Sequence, residues 1–95
     1  MEHPIEHQEN GSRGAFHIER DGQRIAEMTY SRSNPELVVV DHTYVDPSLR
    51  GQGVARRLLD AAVAWARKTG TKLGATCSYA VVQFARDKSL ADVVG

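Results

Sequence analysis

The run Arg50-Gly51-Gln52-Gly53-Val54-Ala55 places two glycines between a cation and the start of a segment with apolar residues at helical spacing. Where a helix opens, its first backbone N–H groups lack intrahelical partners and its macrodipole is positive, so an anion is held there largely by main chain. Gly51 and Gly53 let the chain turn and let a phosphate approach with no Cβ in the way, while Arg50 adds a cation. The pattern predicts a pyrophosphate cradle whose contacts are Arg50, Gly51, Gln52, Gly53, Val54 and Ala55. It is not the dinucleotide fingerprint. Arg56 stands where the third glycine of Gly-x-Gly-x-x-Gly belongs, and the Gly-Lys-Ser/Thr ending of a phosphate loop is missing.

Outside the loop, His42 is the side chain best suited to act as a general base, since an unperturbed imidazole titrates near neutrality. Its bland reading is a solvated histidine on a strand. Asp41 adjoins it, and strict alternation along a strand turns the two side chains to opposite faces. Cys77 has two readings, a small apolar residue lining a site or a reactive thiolate nucleophile. Arg56 and Arg57, one turn into the helix, either reach toward phosphates or face solvent. His3 and His7 are four apart, which on a helix suits a metal. Pro4 between them and their place in the first residues favour solvated side chains, and one cysteine rules out a cysteine-based zinc site, so no metal is expected.

These residues need elements to hold them. Val54, Leu58, Ala61, Ala62 and Trp65 recur at helical spacing, with Leu59 and Ala66 on the adjoining stripe, predicting a helix from about Gly53 to Thr69 with Gly70 as its left-handed cap. Before it, Ala15 to Arg20 and Arg24 to Tyr30 alternate around Asp21-Gly22, a hairpin signature, and Ser33-Asn34-Pro35-Glu36 turns the chain into a third strand over Leu37 to Val45. After it, Thr71 to Thr76 reads as a short buried strand, parallel to the third because a helix joins them by a right-handed crossover. Tyr79 to Arg86 reads as a second, short helix. The expected fold class is therefore α+β, a mixed sheet of three antiparallel strands plus a fourth parallel one, with a long helix and a short one. Residues 1–13 read as a flexible polar segment and 14–95 as a single small domain.

Composition narrows the partners. Twelve basic and twelve acidic residues cancel, and neither a basic run nor base-stacking aromatics interleave with the charges, so nucleic acid and anionic membranes are not expected partners. No long apolar segment and no amino-terminal signal is visible, and one cysteine fits a reducing compartment, so the expected location is cytoplasmic.

Read as Arg-x-x-Gly-x-Ala and preceded by a strand and the Val-x-Pro of Val45 to Pro47, the loop resembles the acetyl-coenzyme A motif of the GNAT acyltransferase superfamily. With His42-Thr43-Tyr44-Val45 and Cys77-Ser78-Tyr79, the chain looks like the very short GNAT-like proteins of bacteria and animals, over residues 14 to 94. The resemblance implies acetyl-coenzyme A as acyl donor, with the backbone near Tyr44 and Val45 pairing with the pantetheine arm and thioester oxygen. It makes Tyr79 a candidate to protonate the departing thiolate, or else an aromatic capping the core, beside His42 and Cys77 as the other catalytic candidates. Two positions depart from the family pattern, Tyr44 where an acidic residue is expected and Asp87-Lys88-Ser89 where a His-Pro-Glu-like segment is expected. The chain is too short for the walls that usually enclose the acceptor. The substrate is then small, or a second copy of the chain in a homodimer supplies the wall, or the acceptor is a large molecule. The implied function is acetyl-coenzyme A-dependent N-acyl transfer to an amine of unknown identity; the alternative is an acyl-coenzyme A binding module with little or no turnover. A small interaction protein with a merely tight turn is the third class.

Overall fold

The computed structural model describes residues 4–95. Strands β1 (Glu6–Asn10), β2 (Arg13–Arg20), β3 (Gln23–Asn34) and β4 (Leu37–Val45) run antiparallel in chain order. Helix α1 (Val54–Thr69) then crosses to β5 (Lys72–Ala75), which lies parallel to β4, and helix α2 (Ser78–Arg86) follows. The two-residue loop Asp21-Gly22 closes the β2–β3 hairpin with φ of 53° and 79°, the positive values that match the twist of a tight hairpin. The α+β class and the parallel fourth pairing are as the sequence predicts. The sheet has one strand more.

That extra strand is β1, within the segment expected to be loose. His7 explains it. Its imidazole stacks on Phe16 at 4.1 Å and meets Trp65 edge-on at 5.0 Å, and its Nε2 lies 2.7 Å from the Tyr30 hydroxyl. An imidazole thus does the packing that pattern reading assigns to apolar residues, and Glu9 adds an ion pair to Arg32 at 2.7 Å. Burial lowers the pKa of His7, consistent with a neutral ring in this cluster. His3 lies outside the described residues, so the His3 and His7 spacing has no structural counterpart here. Among the described residues no cluster has the makings of a metal site, and no helix is long and apolar enough to cross a membrane.

One face of the sheet packs on α1. Phe16, Ile18, Met28, Tyr30, Val38, Val40 and Leu73 meet Val54, Leu58, Leu59, Ala62, Val63 and Ala66 of the helix, all buried. The opposite face carries Gln8, Arg13, Glu27, Thr29, Ser31 and Asp41, bonded to one another or to Arg24, and among the described residues no helix packs on it.

Two irregularities in β4 shape everything near it. Thr29 pairs with His42 while Tyr30 pairs with Val40, so Asp41 is the extra residue of a β-bulge. The bulge resets the alternation. Asp41 bonds Thr29 and Ser31, and His42 faces Glu27, so both side chains occupy the uncovered face; the expectation that they point to opposite sides fails for this reason. Secondly, β4 and β5 pair only over Leu37 to Val40 and Lys72 to Ala75. The N–H groups of Thr76 and Cys77 then both bond the Val40 carbonyl, at 2.9 and 3.1 Å, and the chain turns into α2. Residues 41–45 of β4 run on with β3 on one side and no strand on the other.

Candidate functional site

The loop between β4 and α1 is folded by its own side chains. Asp46 accepts a bond from the Ser48 amide at 2.9 Å and caps a single 3₁₀ turn over Pro47–Leu49, after which the chain enters two left-handed glycines, Gly51 at φ 81° and Gly53 at φ 71°. Helix α1 starts without a side-chain cap and without an acid in its first turn. Its first bond from this end runs from the Arg57 amide to Gly53 oxygen at 3.1 Å, so the N–H groups of Val54, Ala55 and Arg56 point out of the helix end. They open on a cavity of about 260 Å³ lined by Val45, Arg50, Gly51, Gly53, Val54, Ala55 and Tyr79, with Leu49 and Arg56 completing it. A Cβ built on Gly51 or Gly53 would meet nothing within 4 Å, so the glycines face open space that a side chain would fill. An uncapped positive helix end, an empty glycine margin and a cation fit a pyrophosphate.

Of the expected contacts, Tyr44 and Gln52 lie outside this lining. The Tyr44 hydroxyl is 3.5 Å from Asp46, and the Gln52 amide donates to the Ser48 carbonyl at 3.3 Å, which braces the loop from behind. Arg56 is committed elsewhere. Its guanidinium donates to Asp60 at 2.9 Å, to Gln83 at 2.8 Å and to Asp87, fastening the first turn of α1 to the end of α2. The Arg56 guanidinium, with Ser89 adding further bonds, drops the Asp87 carboxyl to about 2. Asp87 stands within the departing Asp87-Lys88-Ser89 segment, and the structure gives that segment this bracing role. Arg50 is the exposed cation on the cavity wall.

At the other end, Cys77 and His42 are separated by the thickness of β4. Cys77 is buried, and its sulfur lies 3.2 Å from the Thr43 hydroxyl on the helix side of the sheet. His42, with 57% of its side chain exposed, stands on the uncovered face with Nε2 3.8 Å from Glu27. The two do not form a Cys–His pair. Tyr79 lies near the start of α2 and lines the same cavity as the glycine loop; burial raises its pKa, so the phenol keeps its proton at neutral pH. Sequence reading missed Glu27 and Thr43, which only the strand register brings to His42 and Cys77. Burial alone would raise the Asp41 carboxyl, but bonds from Thr29 and Ser31 and the charge of Arg13 outweigh it and hold it below its usual value.

Residues 15–93 match the sequence profile of the GCN5-related N-acetyl-transferase family. The chain belongs to that family. Solved members and neighbours agree. A GCN5-like protein from Staphylococcus aureus is 31% identical over 95% of this chain and 87% of its own, with a TM-score of 0.71. A ribosomal-protein-alanine N-acetyltransferase from Brucella melitensis biovar Abortus 2308 is 25% identical over 72% of this chain, at a TM-score of 0.60, and this chain spans 52% of it. A GNAT family acetyltransferase from Elizabethkingia anophelis, solved with acetyl-coenzyme A bound, shares the fold at a TM-score of 0.55 and 17% identity over 65% of this chain and 41% of its own. No curated protein matches the chain. This GCN5-related chain thus spans about half or less of the last two neighbours.

Proposed function

We propose that the chain transfers an acetyl group from acetyl-coenzyme A to an amine. One observation carries the reading: the uncapped end of α1, both loop glycines, Arg50 and Tyr79 converge on a single cavity beside Val45, the last residue of β4. The bound acetyl-coenzyme A of the Elizabethkingia neighbour supports the choice of donor. When bound, the thioester supplies an acyl carbon already activated toward nitrogen.

In this reading the N–H groups of Val54, Ala55 and Arg56 and the Arg50 guanidinium hold the phosphates. The open edge of β4 around Tyr44 and Val45 pairs with the pantetheine arm and polarises the carbonyl oxygen. The amine nitrogen bonds to the acyl carbon and loses a proton to His42 on the uncovered face, the carbon–sulfur bond breaks, and Tyr79 protonates the leaving thiolate. Cys77 is buried beside Thr43 and is not among the residues that line the cavity. A covalent role would leave it without the histidine, which lies across the strand.

Calorimetric titration with acetyl-coenzyme A, followed by thiol release with a panel of amines, tests this. Binding with amine-dependent thiol release is the expected result. Binding with no transfer to any amine would make the chain an acyl-coenzyme A binding module, and no binding would overturn the cradle itself.

A further inference from the structure

Arg56 lines the cavity together with Tyr79, yet the transfer step makes no use of its side chain. Its guanidinium is turned to other partners, Asp60 at 2.9 Å, Gln83 at 2.8 Å and Asp87. Two of these belong to one stripe. Tyr79, Gln83 and Asp87 stand four residues apart, so along α2 and its carboxyl-terminal cap they share a face. Arg56 bonds the second and third of them, which turns that face toward the first turn of α1 and carries Tyr79, the first, to the cavity.

Helix α2 needs such a fastening. Of its nine residues only Ala80 is fully buried, Tyr79 and Phe84 are partly so, and Val81 and Val82 are exposed. Few buried apolar contacts leave an element easy to shift. A planar guanidinium with five donors can hold partners on two helices at once, and Arg56 does so.

The same guanidinium acts on the phenol by charge. Burial raises the Tyr79 hydroxyl above its ordinary value, the Arg56 cation opposes that rise, and Asp60 and Cys77 add to it. Arg50 shares the cavity wall, and Asp87 is paired with Arg56. A phenol that protonates a departing thiolate becomes negative in doing so, and a cation already fixed nearby stabilises that charge without reorganisation.

From this placement, and resting on the acyl-transfer reading above, we infer that Arg56 is a positioning residue for Tyr79: it fastens the face of α2 that bears the phenol and keeps a positive charge near it while the proton leaves. Its backbone N–H serves the phosphates in that reading. Its side chain serves the acid.

The two halves of one ion pair separate this role from bracing alone. Arg56→Gln and Asp60→Asn loosen the same contact, but they remove charges of opposite sign. The Tyr79 phenol is titrated through the ring-carbon resonances of labelled tyrosine, with Tyr79→Phe assigning the signal. Its midpoint should move to higher pH in Arg56→Gln and to lower pH in Asp60→Asn, while Arg56→Lys, which keeps the charge, should stay nearer wild type. In thiol release from acetyl-coenzyme A, kcat should fall about tenfold in Arg56→Gln, a part of what a positioned proton donor contributes. KM for acetyl-coenzyme A should change less, because the Arg56 amide is retained.

Midpoint shifts of the same sign in the two charge variants, or no shift in either, would overturn the inference and leave Arg56 a brace. An unchanged kcat in Arg56→Gln would overturn it as well. If no amine is turned over, opposite shifts still support the cation near the phenol while the transfer reading falls. Thermal melts and a coenzyme A titration report the fold of each variant. Should Arg56→Gln fail to fold, Asp60→Asn and Arg56→Lys carry the test, and an unmoved midpoint in Asp60→Asn overturns the inference.

Discussion

The two ends of the site are made of different material. At the glycine loop, where the phosphates are proposed to bind, three backbone N–H groups, two left-handed glycines and one exposed arginine face a cavity, and side chains contribute mostly by bracing the loop. On the uncovered face, where His42 is the proposed base, Arg13, Arg24, Glu27, Asp41 and His42 come from three strands and meet through ion pairs and hydrogen bonds. A main-chain site depends on local conformation and tolerates most substitutions that spare it. A side-chain site depends on register and loses function one residue at a time.

The largest expected effect breaks the main-chain end where it is weakest. Gly53→Ala puts a methyl group into the open margin of the cradle, and Gly70→Ala puts one at the far end of α1, where φ is 72° against 71° and the built Cβ likewise meets nothing. Both variants carry the same left-handed strain, about 1–2 kcal/mol each. Only Gly53→Ala should weaken coenzyme A, on the order of tenfold, and Gly53→Val should weaken it further. Calorimetry and thermal melts on both check this. Equal affinity losses at 53 and 70 would mean that strain, not occupancy of the cradle, decides binding.

Next comes the single-residue sensitivity of the other end. If His42 takes the amine proton, the rate at saturating acetyl-coenzyme A carries a limb that belongs to the protein and stays in place when the amine is changed, and His42→Gln removes it while coenzyme A affinity holds. Rate against pH with two amines of different basicity reads this. A limb that moves with the amine, and is unchanged in His42→Gln, would assign deprotonation to solvent.

The same contrast explains what the sequence could tell. Helix α1 and the loop that opens it were legible because glycine, helix period and cap residues act within a few neighbours: α1 was expected from Gly53 to Thr69 and runs over Val54–Thr69. The uncovered face was not legible. Its pairings depend on one inserted residue, Asp41, that leaves no mark on a run of β-branched and polar residues and yet reverses which side chains share a face. Strand β1 escaped notice because its inward residue is His7, whose ring packs like an aromatic when buried against Phe16 and Trp65. The sequence leaves Arg56 open between phosphate contact and solvent. Its place in the first turn suited a phosphate ligand, but three partners from Asp60 to Asp87 hold it.

A smaller effect sharpens the claim that the cradle is main chain. Arg50 lines the cavity but is exposed, so its attraction for an anion is screened. Arg50→Ala should weaken coenzyme A by about threefold at low salt and by less at high salt, against the larger and salt-insensitive loss in Gly53→Ala. Should Arg50→Ala cost more than Gly53→Ala, the phosphate end would be a side-chain site after all and the two ends would not differ in kind.

The smallest effect concerns the brace that keeps the cavity wall in place. Asp87 receives Arg56 from the first turn of α1 and caps the following turn through the Ser89 amide at 3.0 Å. Its carboxyl is depressed to about 2 from an ordinary 3.8, with Arg56 the largest cause. A depressed acid stabilises the fold fully above its unfolded-state pKa and loses that contribution as pH falls through the folded one, so the brace should fade between about pH 4 and pH 2. Asp46, Asp92 and Glu9 are depressed as well, so the wild-type curve alone does not isolate it. The difference in Tm between wild type and Asp87→Asn does, because the other acids are common to both. That difference should be steady from pH 7 to pH 5 and shrink progressively below pH 4. Asp87 is exposed enough that the plateau should be modest. A difference that stays constant down to the lowest pH reached would show that Asp87 acts by shape and hydrogen bonding alone, and that the wall of the cradle does not depend on its charge.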